Sequence, residues 1–257
     1  MPVYTNKEYI YGINPAFEIV RAGRRKIYRA FFSDTLCGQE RTRRLVELYK
    51  NSVCKVEFVN KGKLFDLCRT TEHQGAVIEA DPYPYVHFAE LLGQNRLLLL
   101  DNIEDPQNVG AILRSAEVFS WQHILLASRG TPEIYPSVVK AGAGATEYLR
   151  IARDHPANYY FREAVENGFT VVALDGKGKT SLDELKIPLP AKIMLVIGGE
   201  HLGVGQFILN AAHYTLKIPL AGKISSLNAS VAAGIALFSL SRSFRLAIQG
   251  PGLKLLT

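Results

Sequence analysis

Five short apolar runs constrain the fold of this chain more than any other feature. Arg96–Leu100 (RLLLL), His123–Ala127 (HILLA), Thr170–Asp175 (TVVALD), Ile193–Gly198 (IMLVIG) and Tyr214–Leu220 (YTLKIPL) barely alternate between apolar and polar. A strand with one wet face alternates with period two. A strand that is apolar throughout is buried on both faces, as in a parallel sheet covered by helices. Segments with helical spacing fall between or after these runs, at about 108–119, 133–142, 157–167, 203–211 and 226–247. This order predicts an α/β fold with a parallel sheet between helix layers.

The first third reads as a smaller α/β unit. Asn14-Pro15 predicts a helix start, with Asn as cap and Pro in the first turn, running to Gly23. Lys26–Ser33, Cys54–Asn60 and Gly75–Ala80 are predicted strands; Glu40–Asn51 and Lys63–Thr70 are predicted helices. Asp81–Gln94, with Pro82 and Pro84, reads as a connection whose latter part forms a short helix. The expected organisation is residues 1–82, a linker at 83–94, and residues 95–257. No internal repeat interrupts this pattern.

The net charge of +6 is concentrated early: residues 1–85 carry 14 Lys+Arg against 10 Asp+Glu. Arg21, Arg24, Arg25, Lys26 and Arg29 form one cluster, and Arg41, Arg43 and Arg44 another. Two such clusters in a short segment favour a phosphate-contacting surface and a polyanionic partner. The absence of an eighteen-residue apolar run predicts no membrane span. The first residues show neither a signal-peptide core nor a transit pattern, so a cytoplasmic location is expected. Three cysteines (Cys37, Cys54 and Cys68), without C-x-x-C spacing, argue for free thiols and against a disulfide framework or zinc site.

The common fingerprints of α/β enzymes fail. GAGATE (Gly142–Glu147) follows a helix pattern and lacks the third glycine of a dinucleotide loop. GKGKT (Gly176–Thr180) has Ala173 where a phosphate loop needs glycine, so both stretches are read as turns. No G-x-S-x-G or H-E-x-x-H occurs, and the six histidines are scattered. Hydrolase, dehydrogenase and metal-dependent chemistry are disfavoured, and no metal is expected.

Three stretches remain. In LLLLDNIEDPQNVGAILRSAEVF (Leu97–Phe119) a strand empties into a polar loop, where Asp105 or Asn108 caps the following helix. Arg114 falls off that helix's apolar stripe, beside Ala111, Ser115 and Val118. It is a candidate cation over the strand ends, where ligands of α/β proteins dock. In LVIGGEHLGVG (Leu195–Gly205) a strand meets Gly198, Gly199, Gly203 and Gly205, with Glu200 among them. Glycines there permit positive φ and close approach of a ligand. In LKIPLAGKISSLNASVAAGIALFSLSR (Leu216–Arg242) Ser225, Ser226 and Asn228 open a helix of small residues, suited to close packing at a subunit contact or a threaded chain. Ser226 or Asn228 caps it.

Together DNIEDPQNVGAILRSAE, VIGGE and IPLAGKISSLNASVAAGIALF resemble, in order and spacing, the three motifs of the SpoU family of RNA ribose 2′-O-methyltransferases. YGINPAFEIV and HQGAVI (His73–Ile78) resemble the substrate-binding domain of the branch that methylates a guanosine in large-subunit ribosomal RNA. The resemblance implies a SPOUT-type methyltransferase domain with a deep C-terminal trefoil knot, preceded by an N-terminal domain like the ribosomal protein L30e family. It implies S-adenosylmethionine as cofactor, held near Gly198, Gly199, Ile218 and Leu227. Asn108, Arg114, Glu200, Ser226 and Asn228 take the places of the family's polar catalytic residues. It also implies a homodimer acting on RNA, ribosomal in preference to transfer RNA. His201-Leu202 departs from the family pattern, which often has glycine directly after the glutamate. A transfer-RNA substrate, or an RNA-binding relative without activity, are the alternatives.

The chemistry asks for little. A sulfonium methyl needs an in-line nucleophile and no metal. A ribose hydroxyl titrates far above neutral pH, so its proton must be accepted or its developing charge stabilised. A guanidinium stays protonated, so Arg114 is expected to orient phosphate and hydroxyl and to stabilise negative charge.

Overall fold

The computed structural model describes residues 7–35, 40–52, 54–185 and 192–249. In chain order the elements are β1 (Glu8–Tyr11), α1 (Ile13–Ala22), β2 (Ile27–Ser33), α2 (Glu40–Lys50), β3 (Lys55–Val59), α3 (Lys61–Cys68), β4 (Ala76–Ala80), β5 (Arg96–Asp101), α4 (Pro106–Val118), β6 (His123–Leu126) and α5 (Pro136–Ala141). There follow β7 (Arg150–Ala152), α6 (Ala157–Glu166), β8 (Thr170–Leu174), β9 (Thr180–Ser181), β10 (Ile193–Gly198), α7 (Gln206–Ala211), β11 (Tyr214–Lys217) and α8 (Ala229–Gln249). The chain divides into two compact units: Met1–Pro84 with Ile134–Tyr148, and Tyr85–Glu133 with Leu149–Thr257.

In the first unit the sheet order is β1-β4-β2-β3, with β4 antiparallel to both neighbours and β2 parallel to β3. Ile10, Ile19, Phe32, Leu45 and Ile78 are fully buried. Tyr49 is buried too, and its hydroxyl donates to the Ala16 carbonyl at 2.7 Å. The start of α1 differs from the sequence expectation. Gly12, at φ 102°, precedes the helix, and Asn14 lies inside its first turn, so Asn14 is not the cap. Cys54 and Cys68 are free and half-buried, and burial pushes the Cys68 thiol up; Cys37 lies outside the described residues.

Residues 134–148 were expected in the second domain, yet they pack into the first unit. They carry α5 and a 3-10 turn, Ala145–Tyr148. Their anchor is Glu147, which is 1% exposed. It accepts from Nε and Nη2 of Arg25 at 3.0 and 2.8 Å, while Arg25 Nη1 reaches Glu8 at 2.8 Å. Removing one member of such a buried pair is expected to cost about 3–5 kcal/mol, because the other charge is left buried. Burial pushes the Glu147 carboxyl up; Arg25 pulls it down. Within the first basic cluster Arg25 is buried and taken up by Glu147 and Glu8, whereas Arg29, beside Glu79, and Arg21, beside Glu18, keep much of their side chains exposed.

The second unit holds a seven-stranded sheet, order β7-β6-β5-β10-β8-β11-β9, whose paired strands are all parallel. Leu97, Leu99, Val171, Ala173, Met194 and Val196 fill one core cluster and are fully buried, which accounts for the unbroken apolar runs. Phe88 and Leu91, from the 3-10 turn Phe88–Leu91 in the expected linker, join that cluster. The chain winds one way from β5 to β6 and β7, and the other way through β10, β8, β11 and β9. The order therefore reverses at the β5–β10 boundary, where such sheets open a ligand crevice beyond the strand carboxyl ends. Register sets Gly198 opposite Asp101 there. Small residues on both helices let α4 and α8 pack together: Gly110 and Ala116 are buried on α4, Ala233 and Ala236 on α8. Trp121 Nε1 donates to Ser241 Oγ at 2.9 Å and fastens the far end.

Candidate active site

The polar residues at the end of β5 hold the glycine loop that follows β10. Asp101 is 5% exposed, and its carboxylate accepts the Gly205 N–H at 2.8 Å. Burial pushes that carboxyl up, partly offset by the Gly205 bond. The Asp101 carbonyl accepts the Gly199 N–H at 3.1 Å, and Asn102 Nδ2 donates to the Gly203 carbonyl at 3.3 Å. Asn102 itself takes φ 55°, a region where asparagine is among the tolerated residues. A Cβ on Gly198 would sit 2.1 Å from Val204 N, and one on Gly199 1.8 Å from Asn102 O. These glycines are required by the chain's own backbone. Gly203, at φ +63°, faces open space instead. Sequence reasoning did not single out Asp101 or Asn102 as functional side chains; a buried acid directly after four leucines was the available signal.

Asn108, Glu200 and Asn228 come together although they lie on three separate motifs. Asp105 caps α4, accepting the Gln107 N–H at 2.8 Å, which leaves the Asn108 side chain for another use. Asn228 caps α8: its Oδ1 accepts the Ser230 N–H at 2.9 Å and the Val231 N–H at 3.3 Å. With its oxygen on the helix, its Nδ2 turns outwards and donates to Glu200 Oε1 at 2.6 Å and Asn108 Oδ1 at 2.9 Å. Asn108 then presents its own Nδ2 to Glu200 Oε1 at 3.3 Å. One carboxylate oxygen thus fixes two amides, and the cap determines their orientation.

Two cavities of the second unit share Gly199 and Glu200 as a wall. The inner one, about 240 Å³, lies among Asp175, Gly198, Ile218, Leu220, Ser226 and Leu227. Its lining is backbone and apolar side chain with a few polar groups, the mix that suits a small organic ligand. The outer one, about 390 Å³, is bordered by Asn102, Glu104, Asp105, Asn108 and His201. Ser226 lines the inner cavity and stays outside the three-residue cluster. Arg114 joins neither cavity's lining; it is exposed on α4, without a hydrogen bond or ion pair to another described residue. Val118, one turn further, is 59% exposed, and Val231, Ile235 and Phe238 form an exposed apolar stripe on α8. Among the described residues no group of three His, Cys, Asp or Glu is placed to hold a metal, and no helix is long and apolar enough to cross a membrane.

The profile of the SpoU rRNA Methylase family matches residues 95–238, which carry all three motifs. The chain belongs to that family. A second profile, RNA 2′-O ribose methyltransferase substrate binding, matches residues 9–86. YacO of Bacillus subtilis, a protein assigned to the TrmH family of tRNA/rRNA methyltransferases, is 31% identical over 243 residues, covering 91% of this chain and 95% of that protein. The SpoU protein described here is therefore an RNA methyltransferase. Its fold is shared with the SpoU methyltransferase AviRb from Streptomyces viridochromogenes, solved with AdoMet (TM-score 0.77, 21% identity, 93% of this chain and 91% of that one). It is shared equally with an AdoMet-bound rRNA methyltransferase from Sinorhizobium meliloti (TM-score 0.76, 23% identity, 93% and 88%). That SPOUT-type fold implies the trefoil knot.

Proposed function

We propose that this SpoU protein transfers a methyl group from S-adenosylmethionine to the 2′-hydroxyl of a guanosine in large-subunit ribosomal RNA. The observation that carries the reading is the pair of cavities divided by Gly199 and Glu200, with Asn108, Glu200 and Asn228 bonded at that wall. The inner cavity fits the cofactor in kind. Ile218, Leu220 and Leu227 offer apolar contact for a purine, and the backbone at Gly198 and Gly199 lets a ligand approach closely. When bound, the cofactor supplies an electrophilic methyl group. Asn108 and Asn228, tied through Glu200, hold the mouth of the outer cavity in one geometry, and preorganisation of this kind carries much of a displacement reaction. Ser226 holds ribose or phosphate at the rim of the inner cavity.

Arg114 orients the target phosphate and hydroxyl and stabilises the developing alkoxide as a fixed cation. In a single chain it lines neither cavity. A homodimer supplies the remainder: the exposed apolar stripe of Val231, Ile235 and Phe238 on α8, with the exposed Val118 on the packed helix α4, is the surface for a second copy. Arg114 is one turn from Val118 and enters that interface. The unit of residues 1–84 with 134–148 then binds RNA, and the unit of residues 85–133 with 149–257 carries the chemistry. A cytoplasmic enzyme fits this role.

The test is methyl transfer from labelled S-adenosylmethionine to unmodified ribosomal and transfer RNA, with nucleoside mass spectrometry of the products. Wild type is expected to yield ribose-methylated guanosine in ribosomal RNA. Arg114→Ala is expected to lose roughly 100-fold in rate or more, with cofactor affinity kept. Product in transfer RNA alone refutes the substrate, and near-normal turnover by Arg114→Ala refutes the role of the arginine.

A further inference from the structure

YGINPAFEIV and HQGAVI have no part in the chemistry at the sheet edge, yet the fold joins them. Gln74 Oε1 accepts the N–H of Ile13, 61 residues away, at 3.2 Å, and His73 Nδ1 accepts the Gly75 N–H at 3.0 Å. These bonds leave Nε2–H of the imidazole and the NH2 group of the Gln74 amide as donors for something else. The turn is held in the left-handed region, φ 51° at Gln74 and 84° at Gly75. Glutamine is not favoured there, and such conformations persist where the surrounding structure enforces them, often at binding sites.

A cavity of about 740 Å³ adjoins this turn in the first unit. His73, Gln74, Lys61, Phe65, Thr42 and Thr71 line it. Phe65 keeps 43% of its surface exposed, so a ring face is open to a ligand in the cavity. Thr42 is only 5% exposed. Burial, with Lys61 and Lys140 nearby, holds the His73 pKa below its usual value, so the ring stays neutral with its donor in place. A free aromatic face, edge-reading amide and imidazole donors, hydroxyls and a lysine are the groups that recognise a splayed-out nucleotide. A paired helix hides its base faces and cannot use them.

We infer that this cavity takes one unpaired nucleotide of the RNA substrate. Its base stacks on Phe65, its edge bonds to Gln74 and His73, and Lys61 meets its phosphate. The inference rests on the proposed function and names what the first unit reads in the RNA: a single-stranded or looped-out base distinct from the methyl acceptor.

The experiment uses the full chain and in-vitro-transcribed large-subunit ribosomal RNA. Ultraviolet cross-linking, followed by mass spectrometry of tryptic peptides, is expected to place a nucleotide adduct on the peptide Leu64–Arg69. Phe65→Ala and Lys61→Ala are each expected to raise the RNA dissociation constant and KM, roughly tenfold for Phe65→Ala, with kcat and cofactor affinity retained. Methyl transfer that survives with no adduct on that peptide, and with unchanged KM in Phe65→Ala, overturns the pocket alone. An adduct on that peptide without methyl transfer to any RNA keeps the pocket and overturns the proposed function. No RNA binding at all overturns both.

Discussion

Asn228 has two roles that one substitution separates. Its Oδ1 caps α8, and its Nδ2 holds Glu200 and Asn108. Asn228→Asp keeps the cap, since aspartate caps as well as asparagine, but sets a second carboxylate against Glu200 where a bond of 2.6 Å stood. Two unit charges about 3 Å apart repel by about 1.4 kcal/mol even at the dielectric constant of water. The lost donation to a charged acceptor adds on the order of 1 kcal/mol at this exposed site. Asn228→Asp is therefore expected to destabilise the protein by about 2 kcal/mol, a fall in melting temperature of roughly 4–8 °C. Adding Glu200→Gln removes the repulsion, so the double variant is expected to recover at least about 1 kcal/mol relative to additivity. Thermal melts of the four proteins give the coupling, and the effect is expected to shrink in high salt. A melting temperature for Asn228→Asp within a degree of wild type, or strict additivity, would refute the bonded cluster.

Gly199→Ala drives a Cβ to 1.8 Å from the Asn102 carbonyl and is expected to abolish methyl transfer and unsettle the loop, whereas Gly203→Ala meets no protein atom and costs only about 1–2 kcal/mol of stability from its positive φ; parallel melts distinguish them. Asp101→Asn keeps an acceptor for the Gly205 N–H and removes a buried charge. Because burial raises the Asp101 pKa, wild-type stability falls as pH rises through that value, so the advantage of Asn is expected to grow from acid to neutral pH. Asp101→Ala is expected to cost about 1–3 kcal/mol by orphaning that N–H; denaturant titrations of both at two pH values decide it. Arg29, then Lys7, hold the Glu79 carboxyl below its ordinary 4.5, so its contribution is present above that pH and is lost as pH falls through the depressed value. Glu79→Gln is expected to be less stable than wild type at neutral pH and to converge with it in acid, read by melts across that range.

The parallel sheet was readable because burial on both faces leaves an unbroken apolar run, and Leu97–Leu100 had no other use for four leucines. Strands β1 and β7 were not, since EYIY and RIA are too short to show a period. YTLKIPL read too long: β11 stops at Lys217, after which the chain runs exposed to the cap of α8. The meeting of Asn108, Glu200 and Asn228 was implied by the resemblance, whereas which atom bonds which depends on Asp105 taking the cap. The reason for Gly198 and Gly199 was half visible: close approach was expected of a ligand, and the nearer neighbour is the chain's own backbone. Arg25 misled because a cation's neighbours in sequence say nothing of an acid 122 residues later.

That arginine has an evolutionary consequence. The excursion through Ile134–Tyr148 means the chain passes between the units three times, at Pro84–Tyr85, Glu133–Ile134 and Tyr148–Leu149. A protease that cuts the first junction frees residues 1–84 of every covalent tie, and packing against Ile134–Tyr148, with the Arg25–Glu147 pair in it, still holds them. A recombination event there transplants the methyltransferase segment with a stretch built for another body, and strands Arg25 in the piece left behind without its carboxylate. A segment transplanted in this way is expected to need a new cation for the buried carboxylate of Glu147.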